Sequence, residues 1–116
     1  MAELVEVLKK NDLEDGTMKS VNVAGNEILV ARVGDKYYAV DNRCPHMGGK
    51  LSKGKLDGTV VTCPVHGSQF DLRNGQVIRW TNFTGFLSKV TKLIKSPRPI
   101  ATYSIKTVDE VLYIEI

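Results

Sequence analysis

Two cysteines and two histidines are all that the chain has of either type, and all four stand in two short runs. The first is Cys44-Pro45-His46-Met47-Gly48-Gly49, and the second is Cys63-Pro64-Val65-His66-Gly67-Ser68-Gln69-Phe70. The spacing is Cys-x-His, sixteen intervening residues, then Cys-x-x-His. Each half supplies one thiolate and one imidazole, a set suited to a metal site with two sulfur and two nitrogen donors. Structural zinc uses the same ligand types, but its usual spacing pairs Cys with Cys and His with His, whereas each half here mixes them. A Cys–His nucleophile pair would use one thiol and one imidazole and leave the duplicates idle. Buried cysteines and surface histidines without a role are the plainest alternative.

The residues around the four donors suit loops wrapped about a metal group. Pro45 and Pro64 each follow a cysteine and stiffen the backbone there. Gly48, Gly49 and Gly67 allow a positive φ and a close approach of the chain. The stretch from Cys44 to Gly54, followed by Cys63 to Asp71, closely resembles the Rieske family. The resemblance covers nearly the whole chain outside 81–98. It implies a [2Fe-2S] cluster with Cys44 and Cys63 as thiolate ligands to one iron and His46 and His66 as imidazole ligands to the other. The high-potential branch of that family staples its two loops with an extra disulfide, and the matching positions here are Gly49 and Val65. That branch also places a Ser and a Tyr after the second His, with hydroxyls that hydrogen-bond the cluster sulfurs. Ser68 matches the first, and Phe70 stands where the Tyr would be. With one of the two donors and no staple, the potential is expected in the lower to middle part of the family range of about −150 to +300 mV. A turn-only role for Ser68, with its hydroxyl facing water, is the competing reading.

The rest of the chain reads as the scaffold for these loops. A strand is expected over Leu4–Leu8 and a turn over 10–16. Strands over 18–23, 27–33 and 36–41 form an antiparallel meander whose last member delivers Cys44. Asp57-Gly58 and Asn74-Gly75 are tight-turn dipeptides. They place a strand over 60–62, leading to Cys63, and pair 70–72 with 76–78. Each ligand loop is thus expected to hang from a hairpin. A last hairpin joins 102–106 to 111–116 around 107–110. The resemblance implies mostly β structure: the Rieske fold of antiparallel sheets with a two-loop cluster-binding subdomain.

Residues 82–96 break the β pattern. Phe83, Phe86, Leu87, Val90, Leu93 and Ile94 recur with a helical period, and Lys89, Lys92 and Lys95 take the other face. An inserted amphipathic helix is expected, its apolar stripe packed on the domain's own sheet. Its basic face is also compatible with an acidic partner or with peripheral contact at a membrane surface.

The chain has 116 residues and a net charge of +3. One domain over 1–116 is expected, with the cluster-binding subdomain at about 42–72 and the helical insertion at about 82–96. Residues 79–98 hold five cations and no acid, which leaves the remainder at −2. No apolar run approaches the roughly eighteen residues of a membrane span. The start of the chain lacks the basic and apolar segments of a signal peptide, so the cytoplasm is the expected compartment. No nucleic-acid recognition motif accompanies the modest basic excess. There is no room for a second redox centre or a small-molecule substrate pocket. The resemblance therefore implies a soluble Rieske ferredoxin, an electron carrier and not an enzyme. Its redox partners would be a flavoprotein reductase as donor and a terminal oxygenase or other acceptor. The alternatives are a small Rieske subunit of a larger oxidoreductase, such as a nitrite-reductase-like or oxygenase complex, and a redox sensor.

Overall fold

A computed structural model describes residues 4–43, 49–64, 67–79 and 99–115. Ten strands form two antiparallel sheets. The first six-stranded sheet takes β1 (Leu4–Lys9), β2 (Met18–Val23), β3 (Asn26–Val33) and β4 (Lys36–Asp41) from the N-terminal half. It takes β9 (Thr102–Val108) and β10 (Val111–Glu115) from the C-terminal end, in the order β1-β10-β9-β4-β3-β2. The second sheet is β5 (Lys55–Asp57), β6 (Val60–Thr62), β7 (Gln69–Asp71) and β8 (Val77–Arg79), in chain order. The architecture is the mostly β, antiparallel one expected.

The middle of the large sheet is buried on both sides, and β3 shows how the sequence achieves it. Ile28, Leu29, Val30 and Ala31 are a continuous apolar run with no solvent exposure. Successive side chains of a strand point to opposite faces. Ile28 and Val30 join a cluster with Leu13, Val23, Ala39, Leu112 and Ile114. Leu29 and Ala31 join another with Val40, Leu51, Val61, Cys63, Phe70, Leu72 and Ile100. This second core is the floor on which the small sheet and the Cys63 loop sit.

Two sequence expectations change. The last hairpin is tighter than foreseen: β9 runs to Val108, and Asp109-Glu110 turn the chain, with Asp109 at φ 55°. Asp is one of the few non-glycine residues that tolerate this region. The β7–β8 pairing is displaced, with Gln69 opposite Arg79 and Phe70 opposite Val77. Asp71 causes this by capping the turn: its Oδ1 accepts the Arg73 N–H at 2.9 Å, and its carbonyl accepts the Gly75 N–H at 2.7 Å. As expected, the β3–β4 hairpin leads into the first ligand segment; the chain then goes on to the β5–β6 hairpin of the small sheet, with an isolated bridge between Arg43 and Lys50 at the neck. The helix expected over 82–96 lies outside the described residues.

Candidate metal centre

Of the four expected ligands, Cys63 is described; Cys44, His46 and His66 lie outside the described residues. Cys63 follows β6 directly and is 2% exposed within the core shared by the two sheets. The turn after it is fixed by its own backbone. The Cys63 N–H donates to the Ser68 carbonyl at 2.7 Å, and the Gly67 N–H donates to the Cys63 carbonyl at 3.1 Å. Gly67 has φ 73°, which favours glycine. The Gln69 amide donates to the Thr62 hydroxyl at 3.2 Å, so one more pair ties β6 to β7 below the turn. Ser68 has no solvent exposure, so its hydroxyl does not face water as the turn-only reading requires. Phe70, also fully buried, packs in the same cluster as Cys63.

The segment linking the two ligand runs is built against Cys63. Leu51 is fully buried in that cluster, in a single 3-10 turn over Leu51–Lys53. Gly54 follows, and Lys55 pairs with Thr62 across β5 and β6. A methyl group on Gly54 would overlap the Thr62 carbonyl oxygen and lie 3.1 Å from Pro64 Cδ. Glycine is therefore required by the close approach of this segment to the strand that carries Cys63.

The neck of the first run is held by side chains. Asn42, two residues before Cys44, is 1% exposed. Its N–H donates to the Glu27 carbonyl at 3.1 Å, and its carbonyl accepts the Leu51 N–H at 2.7 Å. Its side-chain oxygen accepts the Ser52 N–H at 2.7 Å, and its amide donates to Glu27 Oε1 at 2.7 Å. Lys50 Nζ reaches the same Glu27 oxygen at 3.3 Å. The bond from Asn42, and after it that from Lys50, holds the Glu27 carboxyl below the usual range. One residue earlier, Asp41 accepts a hydrogen bond from the Tyr103 hydroxyl at 2.6 Å. Burial, and then this bond to a carboxylate, pushes the Tyr103 phenol up to about 12.

Sequence reasoning did not single out Asn42, Glu27, Gly54 or Tyr103. The signal available for Asn42 was a small polar residue just before the first ligand, at the end of an apolar strand. Glu27 is brought to Asn42, and Tyr103 to Asp41, only by strand pairing, and no local pattern reveals either. Among the described residues no helix is long and apolar enough to cross a membrane.

Relatives agree with this frame. Ferredoxin CarAc of Metapseudomonas resinovorans is 40% identical over 72 residues, 61% of this chain and 67% of that protein. The ferredoxin component of the naphthalene 1,2-dioxygenase system of Pseudomonas putida is 32% identical over 74 residues, 64% of this chain and 71% of its own. A solved chain from the complex of reduced oxygenase and oxidized ferredoxin in carbazole 1,9a-dioxygenase superposes with a TM-score of 0.77 at 28% identity. That match covers 96% of this chain and 91% of the other. The family model of the Rieske [2Fe-2S] domain matches residues 3–103, which makes a [2Fe-2S] cluster the cofactor and places this chain in the Rieske [2Fe-2S] family.

Proposed function

We propose that this chain carries electrons one at a time from a flavoprotein reductase to the terminal oxygenase of a dioxygenase-type system. It is an electron carrier rather than a catalyst. The observation that carries this reading is its likeness to proteins named as ferredoxin components of such systems, at lengths close to its own. The whole chain, 1–116, is read as a single Rieske domain with the cluster-binding part at about 42–72.

Cys44 and Cys63 would hold one iron of the cluster, and His46 and His66 the other. The donor set fits: two thiolates and two imidazoles are the ligands such a centre needs. So does the position of Cys63, a buried thiol fixed by backbone hydrogen bonds at the end of a strand. When bound, the cluster supplies a one-electron couple. The protein's part is to hold the donors rigidly and keep water from Cys63. Ser68, buried in the same turn, would offer its hydroxyl to the cluster sulfurs. The cytoplasm is the compartment we propose, because both cysteines serve as thiolate ligands and none is left for a disulfide.

The purified protein is expected to contain two iron and two acid-labile sulfide per chain. Mixed with NADH, a Rieske-system reductase and a Rieske oxygenase, it should sustain product formation that stops when it is left out. One zinc per chain in a colourless native preparation would end the cluster reading. A red-brown protein that co-purifies at fixed stoichiometry with a larger oxidoreductase, and never turns over free in solution, would favour the subunit reading.

A further inference from the structure

The two ligand runs are anchored in different ways. The second is closed by its own backbone, through the Cys63–Ser68 pair. The first joins two sheets, and its ends meet in a single bridge between Arg43 and Lys50. One bridge gives a neck little resistance to spreading. The Asn42 side chain adds to that bridge: the Leu51 N–H to Asn42 carbonyl bond belongs to the bridge itself, and beyond it the Asn42 side-chain oxygen accepts from Ser52, after the run.

We propose that Asn42 is a positioning residue for the metal centre, fixing the two points where the first ligand run leaves and rejoins the fold, with Glu27 locking its amide. Every polar group of Asn42 is engaged: backbone N–H and carbonyl, side-chain oxygen and side-chain amide. At 1% exposure, none of these bonds is exchanged for water at low cost. An amide is the group the geometry calls for, because one end must accept from Ser52 while the other donates to Glu27. Glu27 is fixed in turn by Lys50, which belongs to the returning side of the neck. Departing strand, returning strand and the neighbouring strand β3 are thereby tied into one network. Leu51, held at its N–H by Asn42, packs in the cluster that contains Cys63. The same contact thus sets the first run against the second. Groups of this kind, one step beyond the ligands, govern metal retention by restricting how far the ligands move.

The inference rests on the cluster reading above, and the experiment separates the two. Iron and sulfide in the wild-type protein test the cluster. The clamp is tested on the holoprotein by the rate of iron release to a ferrous chelator, the EPR g-values of the reduced state and the amide exchange of Leu51 and Ser52. Asn42→Ala is expected to speed iron release roughly 10–100-fold, shift the g-values and expose the Ser52 amide, whose acceptor is the side chain, more than that of Leu51, whose acceptor is the backbone carbonyl. Glu27→Ala, a surface change that spares the fold, should speed release several-fold. Glu27→Gln, which still accepts from the Asn42 amide, should return it close to wild type. If Asn42→Ala fails to fold, the Glu27→Ala and Glu27→Gln pair decides. Release rates within about twofold of wild type in every variant, with unchanged g-values, overturn the proposal even if the urea midpoint falls. Should the wild type hold no iron, protection of the Ser52 amide that survives Asn42→Ala overturns it as well.

Discussion

Ser68 is the residue whose chemistry the structure sharpens most. A fully buried side chain two residues after His66 does not solvate a turn, and the proposed role of its hydroxyl is to tune the centre. A hydrogen bond to a charged acceptor contributes about 1.5–3 kcal/mol, and part of that would be gained only in the more negative, reduced state. At 59 mV per tenfold change for one electron, Ser68→Ala should lower the potential by on the order of 60 mV. Protein-film voltammetry of wild type and variant at one pH measures it. No shift would mean that the hydroxyl bonds elsewhere in the loop. Phe70, the position where a second hydroxyl was sought from the sequence, is packed among apolar side chains. Phe70→Tyr therefore has to find its partner on the Cys63 side of that cluster or lose stability.

Among the elements, the segment between the two ligand runs is the one with least freedom. It contains Leu51, fully buried, and Gly54, which lies against the Thr62 carbonyl. Gly54→Ala must push β6 aside at the residue before Cys63. Overpacking of this kind costs about 1–3 kcal/mol, and here the displaced backbone is that of Thr62, next to the proposed ligand Cys63. The expected outcome is a lower urea midpoint together with reduced iron content at purification. Full iron content at an unchanged midpoint would show that β5 and β6 separate more easily than their pairing suggests. By contrast, Gly16 and Gly34 have open space around the position of an added methyl, and only their positive φ opposes substitution.

For the whole molecule, the Tyr103–Asp41 bond reinforces the β9–β4 pairing that joins the C-terminal hairpin to the N-terminal meander. The Tyr103 phenol titrates at about 12 in the fold, against about 10 for a free phenol. A pKa raised on folding marks stability that is complete below pH 10 and is lost as pH rises through 12. Tyr103 is only partly buried, and solvent screening reduces the effect to about 1 kcal/mol. Stability measured by urea between pH 9 and 12 should fall on this account, and Tyr103→Phe should flatten the fall. An identical alkaline limb in the variant would remove Tyr103 as its cause.

Most strand positions and the family were legible in the sequence, because they depend on residue type, spacing and local backbone preference. The turn at Asp109 and the displaced β7–β8 register were misjudged by a residue or two, since side-chain capping by Asp71 competes with the Asn74-Gly75 signal. Only the tertiary structure decided that β9 pairs with β4, that the first ligand run bridges two sheets, and that Ser68 is buried. It alone brought Glu27 to Asn42 across fifteen residues and Tyr103 to Asp41 across sixty-two. Contacts at such separations are set by which faces the sheets must bury together, and a local pattern carries no record of that choice.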